Sequence, residues 1–190
     1  MHKKIFALKN FFIIFVFLLS LILLSLNGEK ANFTINLNNN LISCFFNLNL
    51  KLSQSFIDMI YYNNQAEIVY DISLLKKNTG SFFVQSQKLS QKKIVYYLNY
   101  KPDVKSFSIY NEKEFYESFS IDNIITNINT MSFTNLFDLK NSGQYYCTAN
   151  VSITSLSTIF PPMLFLLLFY NPYNIKISNL ESNIINYEIK

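Results

Sequence analysis

Arginine and tryptophan are absent from this chain, histidine occurs only at His2, and glycine occurs only at Gly28, Gly80 and Gly143. Each scarcity excludes some chemistry. Without a guanidinium there is no planar fork for bidentate capture of phosphate or carboxylate. With its one imidazole in the first residues, the remainder of the chain cannot build a His-based triad or a Cys–His pair. A general base there would have to be a carboxylate, a lysine or a tyrosine. Two cysteines with no histidine beside them fall short of a zinc ligand set. Three widely separated glycines cannot form a phosphate-cradling loop. The missing residue types share a cause with the abundant ones. Asparagine occurs 25 times and all 16 basic residues are lysine, the bias of an AT-rich genome.

What is present points to strands. Half of the residues are hydrophobic and 17% are aromatic, with 19 Phe and 13 Tyr. Aromatic and β-branched residues favour the pleated, half-buried surface of a sheet. The formal charge of +4 is concentrated at the start. Lys3, Lys4, Lys9 and Lys30 lie in or beside the first 30 residues together with Glu29, so 12 Lys and 11 acidic residues remain from Ala31 onward, a net of +1. A nearly neutral domain lacks the broad positive field that nucleic-acid binding needs, so nucleic acid is excluded as a partner.

Residues 1–30 have the pattern of a targeting segment. Lys3, Lys4 and Lys9 precede an apolar run from Phe11 to Leu26, interrupted only by Ser20 and Ser25, and Asn27, Gly28, Glu29 and Lys30 follow. A basic region followed by an apolar one is the signal-peptide pattern. The run is close to the lower length limit for a spanning helix, so the segment is either a cleaved signal peptide or an N-terminal membrane anchor. Lysines on its N-terminal side keep that end in the cytoplasm. Either way, residues 31–190 are expected outside: periplasmic, or anchored to the inner membrane and facing outward.

Residues 31–190 read as one strand-rich extracytoplasmic domain. Asn38-Asn39-Asn40 marks a turn. From Leu41 to Leu52, Ile42, Cys44, Phe46, Leu48, Leu50 and Leu52 alternate with mostly polar residues, the signature of a half-buried strand. Ser53 can cap a short helix carrying Phe56, Ile57 and Ile60. Further strands are expected over 67–75, 81–86, 92–101, 106–111, 145–153 and 174–180. Ile121, Ile124, Ile125, Ile128 and Met131 follow the helical period behind Ser118 or Ser120. Roughly seven strands and two short helices, with short connections and no βαβ rhythm, define an α+β domain of mainly antiparallel β structure, either a curved sheet or a β-sandwich.

The order of these segments resembles a bacterial family of exported proteins called domain of unknown function 4390. The resemblance spans about Ala31 to Tyr187. It rests on Leu52-Ser53 through Asn63-Asn64, the apolar strand Ile68 to Leu75, the basic strand Lys92 to Tyr100, the Phe-led helix Phe119 to Met131, the strand Tyr145 to Ile153, and Pro161-Pro162-Met163 to Tyr170. The family's aromatic ending is replaced here by Tyr173-Asn174-Ile175-Lys176-Ile177-Ser178-Asn179. The resemblance implies an envelope location, an unknown activity and, through neighbouring genes, an association with membrane sensor kinases.

Few residues stand out as candidate sites. Glu112, Glu114 and Glu117 cluster, but such a group is ordinarily a solvated face. Cys44 and Cys147 both fall on the inward side of expected strands. They form either one disulfide, worth about 4–5 kcal/mol for a loop of about 100 residues, or two buried thiols. Ile159 to Tyr170 is too short to span a bilayer and contains Pro161-Pro162. It is either a core strand or an apolar contact surface presenting Phe160, Met163, Leu164, Phe165 and Phe169. No catalytic set, cofactor site or metal site is expected. Function is therefore expected to lie in binding: a protein-interaction or signalling accessory role beside a sensor kinase or other envelope protein, or carriage of an apolar ligand or lipid between sheet and helix. Deleting residues 1–30 should retain the chain in the cytoplasm. Protease accessibility of a C-terminal tag, compared with the full-length chain, measures this.

Overall fold

The alternation that marks strands also determines how they stack. In the computed structural model, which describes residues 31–62, 65–77, 86–155 and 174–189, the central strand β3 (Ala66–Lys77) buries every second side chain from Ala66 through Leu74. It lies between β4 (Ser86–Lys101) and β8 (Gly143–Ser155) in antiparallel register, with Tyr70 opposite Ile94 on one side and Val151 on the other. β5 (Ser106–Tyr110) and β6 (Phe115–Ser118) extend this sheet beyond β4. On its far side, β9 (Asn174–Glu181) and β10 (Ile185–Tyr187) pair successive parts of β8. Three further strands form a second sheet in the order β1 (Asn32–Asn38), β2 (Leu41–Asn47), β7 (Ser132–Asp138). The protein is thus mostly antiparallel β, strongly curled, with two short helices, α1 (Gln54–Tyr61) and α2 (Ile121–Asn129).

Curling requires points where the pleat is broken, and asparagine supplies them. Among the described residues, four other than glycine adopt left-handed backbone conformations, and three are asparagine: Asn39, Asn135 and Asn179. Asparagine tolerates this region better than other residues that carry a Cβ. Asn39 turns β1 into β2. Asn135 sits where the β2–β7 register shifts, its N–H donating to Ser43 Oγ at 3.1 Å. Asn179 sits where the β8–β9 register shifts, its N–H donating to Asn150 Oδ1 at 3.0 Å. Such bulges bend a strand and increase its twist. A chain poor in glycine therefore turns and bends at asparagine.

The two sheets meet through a cluster of rings. Phe46 on β2 lies edge-on to Tyr70 at 5.1 Å and stacks on Phe33 at 4.6 Å. Phe133 on β7 reaches Tyr70 at 5.1 Å and Tyr96 at 6.4 Å. The fully buried Tyr70 hydroxyl donates to the Ile128 carbonyl at 2.7 Å, so the ring also supports the end of α2. Both helices begin at a serine, and of Ser118 and Ser120 the second helix uses Ser120. The Ser53 hydroxyl accepts from Phe56 N–H, and the Ser120 hydroxyl accepts from Asp122 N–H. The buried faces are Phe56, Met59 and Ile60 on α1, and Ile124 and Ile128 on α2.

Three features differ from the sequence expectation. The described residues contain ten strands rather than about seven: β6, β7 and β10 are too short or too irregular to show alternation, whereas β1 alternates strictly over Asn32–Asn38 and is legible in the sequence but absent from the expected strands. β2 ends at Asn47, although Leu48 and Leu50 continue the buried pattern. Their partner is a helix end: Leu48 N–H donates to the Asn129 carbonyl at 2.8 Å, and the Asn129 side chain brackets Leu50 N–H and C=O. The segment buries Leu48 and Leu50, with Asn49 and Lys51 exposed, without a neighbouring strand. β3 runs through Lys77, into the stretch expected to turn. The expected strand over 81–86 lies outside the described residues except for Ser86, which opens β4.

Burial raises the Tyr70 phenol far above its ordinary value, with the neighbouring Tyr96 adding to the effect. Burial and the hydrogen bond to Glu114 raise Tyr96 as well. An acid with a raised folded pKa contributes stability that is present below the unfolded value, here 10.0, and is lost as pH rises above it. The urea midpoint should therefore fall as pH rises above about 10. Tyr70→Phe should weaken this alkaline dependence and cost about 1–3 kcal/mol at neutral pH, because the Ile128 carbonyl loses its buried donor.

Candidate interaction surface and buried cysteine pair

The rim of the larger sheet ends at β6, a four-residue strand on which Phe115, Tyr116 and Glu117 are all exposed. A tight turn sets it in place. Asn111 Oδ1 accepts from the N–H groups of Lys113 and Glu114 at 2.8 and 2.7 Å, and Asn111 N–H donates to the Glu114 carbonyl. This Asx-type turn returns the chain antiparallel along β5. Phe119 follows β6 directly and is 81% exposed, and Phe115 is 61% exposed. Tyr61 and Tyr62 at the end of α1 are exposed as well, and Tyr61 packs edge-on against Tyr100 and Phe107 at 4.7 and 5.1 Å. Val104, in the β4–β5 turn, adds a further exposed apolar side chain.

Polar groups hold this aromatic rim. The Lys101 ammonium lies 4.8 Å from the centre of the Phe115 ring and 3.5 Å from Glu117. The Ser106 hydroxyl donates to Glu117, and the Tyr96 hydroxyl donates to Glu114. The Ser106 hydrogen bond, assisted by Lys101, holds the Glu117 carboxyl below its ordinary value. Two of the three clustered glutamates are thus hydrogen-bonded parts of the rim. Among the described residues, no three His, Cys, Asp or Glu side chains gather as a metal site would require.

Cys44 and Cys147 come together. Cys44 faces inward from β2 and Cys147 from β8; both are buried and free in one core cluster. Hydrogen bonding from the neighbouring Cys44 thiol, followed by burial, pushes the Cys147 thiol well above its ordinary value. The apolar contact residues expected from the sequence, Phe160, Met163, Leu164, Phe165 and Phe169, lie outside the described residues, as does the leader over 1–30. No described helix is long and apolar enough to cross a membrane.

The space beneath α2, where an apolar ligand was expected, is occupied by Tyr70 with Ile124 and Ile128. An open cleft of about 400 Å³ lies instead between β4 and β7, with Leu74, Leu89, Phe137 and Leu139 along it and Lys92 5.8 Å from the Phe137 ring. Sequence reasoning missed the aromatic rim because four residues are too few to show a period. The available signal was the pair Phe115 and Phe119 flanking Glu117 two residues away on either side.

Compared with known proteins, the chain matches no family model, no curated protein and no solved structure. The site defines a class only: a mostly antiparallel β domain with an exposed aromatic edge.

A depressed carboxylate contributes stability above its unfolded pKa, here 4.5, and loses it as pH falls below that value. Glu117→Gln should remove this dependence. Parent and variant should separate in thermal midpoint above about pH 5 and converge in more acidic buffer.

Proposed function

We propose that this chain is an exported envelope protein whose outward-facing domain serves as a non-catalytic interaction or signalling accessory module, docking a membrane partner such as a sensor kinase at the β6 rim. The observation that carries the reading is the exposed aromatic group on an edge strand. Edge strands are ordinarily blunted by lysine, proline or covering elements, since their free N–H and C=O groups invite another strand. β6 instead presents Phe115 and Tyr116, with Phe119 beside them. Aromatic side chains are enriched where protein surfaces meet, and an added strand takes its affinity from main-chain hydrogen bonds and its specificity from side-chain contacts. The occupant that fits is an extended apolar segment of a partner protein. Its rings would pack on Phe115 and Phe119, and a cationic side chain would pair with Glu117. The finer architecture consistent with this role is a sandwich-like closure of the small sheet over the large one, and the domain of unknown function 4390 family is the proposed relationship.

The second reading, binding of an apolar ligand or lipid, draws on the β4–β7 cleft. Purifying the full-length protein from its own membranes in mild detergent distinguishes the two. A stoichiometric protein partner that is lost in the Phe115→Ser, Phe119→Ser double variant, at unchanged thermal midpoint, is the expected result. Unaltered partner recovery by the variant would refute the rim as the docking surface. A bound lipid with no protein partner would favour the cleft.

A further inference from the structure

The fold leaves one pair of reactive side chains without a role. Cys44 and Cys147 come from different sheets and lie more than 100 positions apart, yet both are fully buried in the same core cluster. Their meeting is held in place by the backbone. Cys147 N–H donates to Ser182 Oγ at 2.9 Å, and Ser182 N–H donates to the Cys147 carbonyl at 3.0 Å. The next residue, Asn183, brackets Ile35 in the same way. It accepts from Ile35 N–H at 2.8 Å and donates to the Ile35 carbonyl at 3.0 Å. Ile35 is the cross-strand partner of Cys44. Ser182 and Asn183 therefore fasten the strand of Cys147 to the hairpin of Cys44.

Other uses of a thiol pair require groups that this one does not have. A metal needs more ligands, and no further His, Cys, Asp or Glu joins the pair among the described residues. A nucleophilic cysteine needs a cation or base and some exposure, and here both thiols are buried among apolar side chains. Two apposed thiols joining two sheets can still bond to each other.

We propose that Cys44 and Cys147 are joined in the mature protein by a disulfide that rivets the three-stranded sheet to the seven-stranded one. The oxidant is a disulfide-form exchange partner. One cysteine thiolate attacks a sulfur of that disulfide, releasing one oxidant thiol and leaving a mixed disulfide. The second thiolate attacks the chain's own sulfur in that bond and releases the other oxidant thiol. Two cysteine protons leave, and the oxidant accepts two electrons as its disulfide becomes two thiols. Because the folded pair is buried and Cys147 is held as a thiol, exchange takes place before the sheets close. The bond relies on the export reading only for its oxidising compartment.

Two measurements test the proposal and separate it from that reading. First, the full-length chain is unfolded, reduced and refolded in mild detergent with a mixture of reduced and oxidised glutathione. The expected product loses two hydrogen masses, yields a Cys44–Cys147 linked peptide, and melts roughly 10 °C above the reduced protein, as expected for a loop of about 100 residues. Cys44→Ala should abolish the mass loss, the linked peptide and the oxidation-dependent rise in melting temperature. Second, protein from its own cells is acid-trapped, denatured without reductant and alkylated, and the expected result is no labelled cysteine. Two free thiols after refolding would overturn the proposal through its geometry, whatever the location of the chain. A bond that forms on refolding, with two labelled thiols in the native protein, would overturn it through the compartment and count against export.

Discussion

The packing of Tyr70 between the two sheets is the constraint on which most of the structure depends. Its ring lies in the middle of β3, the strand with neighbours on both sides, and touches Phe46 and Phe133 from the opposing sheet. Edge-to-face contacts of this kind add a directional preference to the area they bury. The hydroxyl would be costly to bury alone, and it finds the last turn of α2. One side chain thus couples the large sheet, the small sheet and a helix. The position of α2 in turn determines where Leu48 and Leu50 bond, and so where β2 stops being a strand.

Bending is the second constraint. Strands as long as β3, β4 and β8 cannot enclose a core while flat. The register shifts at Ile42/Cys44, Leu74/Leu75 and Ala149/Val151 interrupt three pairings. At two of them a left-handed asparagine is held by a side-chain hydrogen bond from the partner strand. A composition that reflects codon bias has become structural, because asparagine occupies the backbone conformations that this chain's three glycines are too few to cover.

The proposed interaction rim and the cysteine pair depend on opposite physics. The rim places aromatic area at the free edge of a short strand, exposed apart from contacts such as the Lys101 ammonium over the Phe115 ring. The cysteine pair is fully enclosed, and its geometry is set by Ser182 and Asn183 rather than by the cysteines. The first has a role only if a partner covers it. The second, as the proposed disulfide, would act within the chain, joining two sheets that otherwise meet through side-chain packing and a few bracketing hydrogen bonds.

The long strands and both helices were legible because their signals are local. Alternation over Glu67–Leu75 and Tyr145–Ile153, a serine cap at Ser53 and another at Ser118 or Ser120, and the helical spacing of Ile124 and Ile128 each follow from backbone geometry within a few residues. The inward orientation of Cys44 and Cys147 was legible for the same reason. Their contact was not, since it depends on the register of two sheets and on an Asn183 far along the chain. Nor were β6 and its exposed rings, because four residues carry no period and exposure is a property of what fails to pack. The sequence by itself determined the mainly antiparallel class, the helix starts and the face of each long strand. Only the tertiary structure decided which strands are neighbours, where the sheets curl, that Leu48 and Leu50 bond to a helix end, and that the two thiols meet, because each of these is a choice among partners distant in the chain.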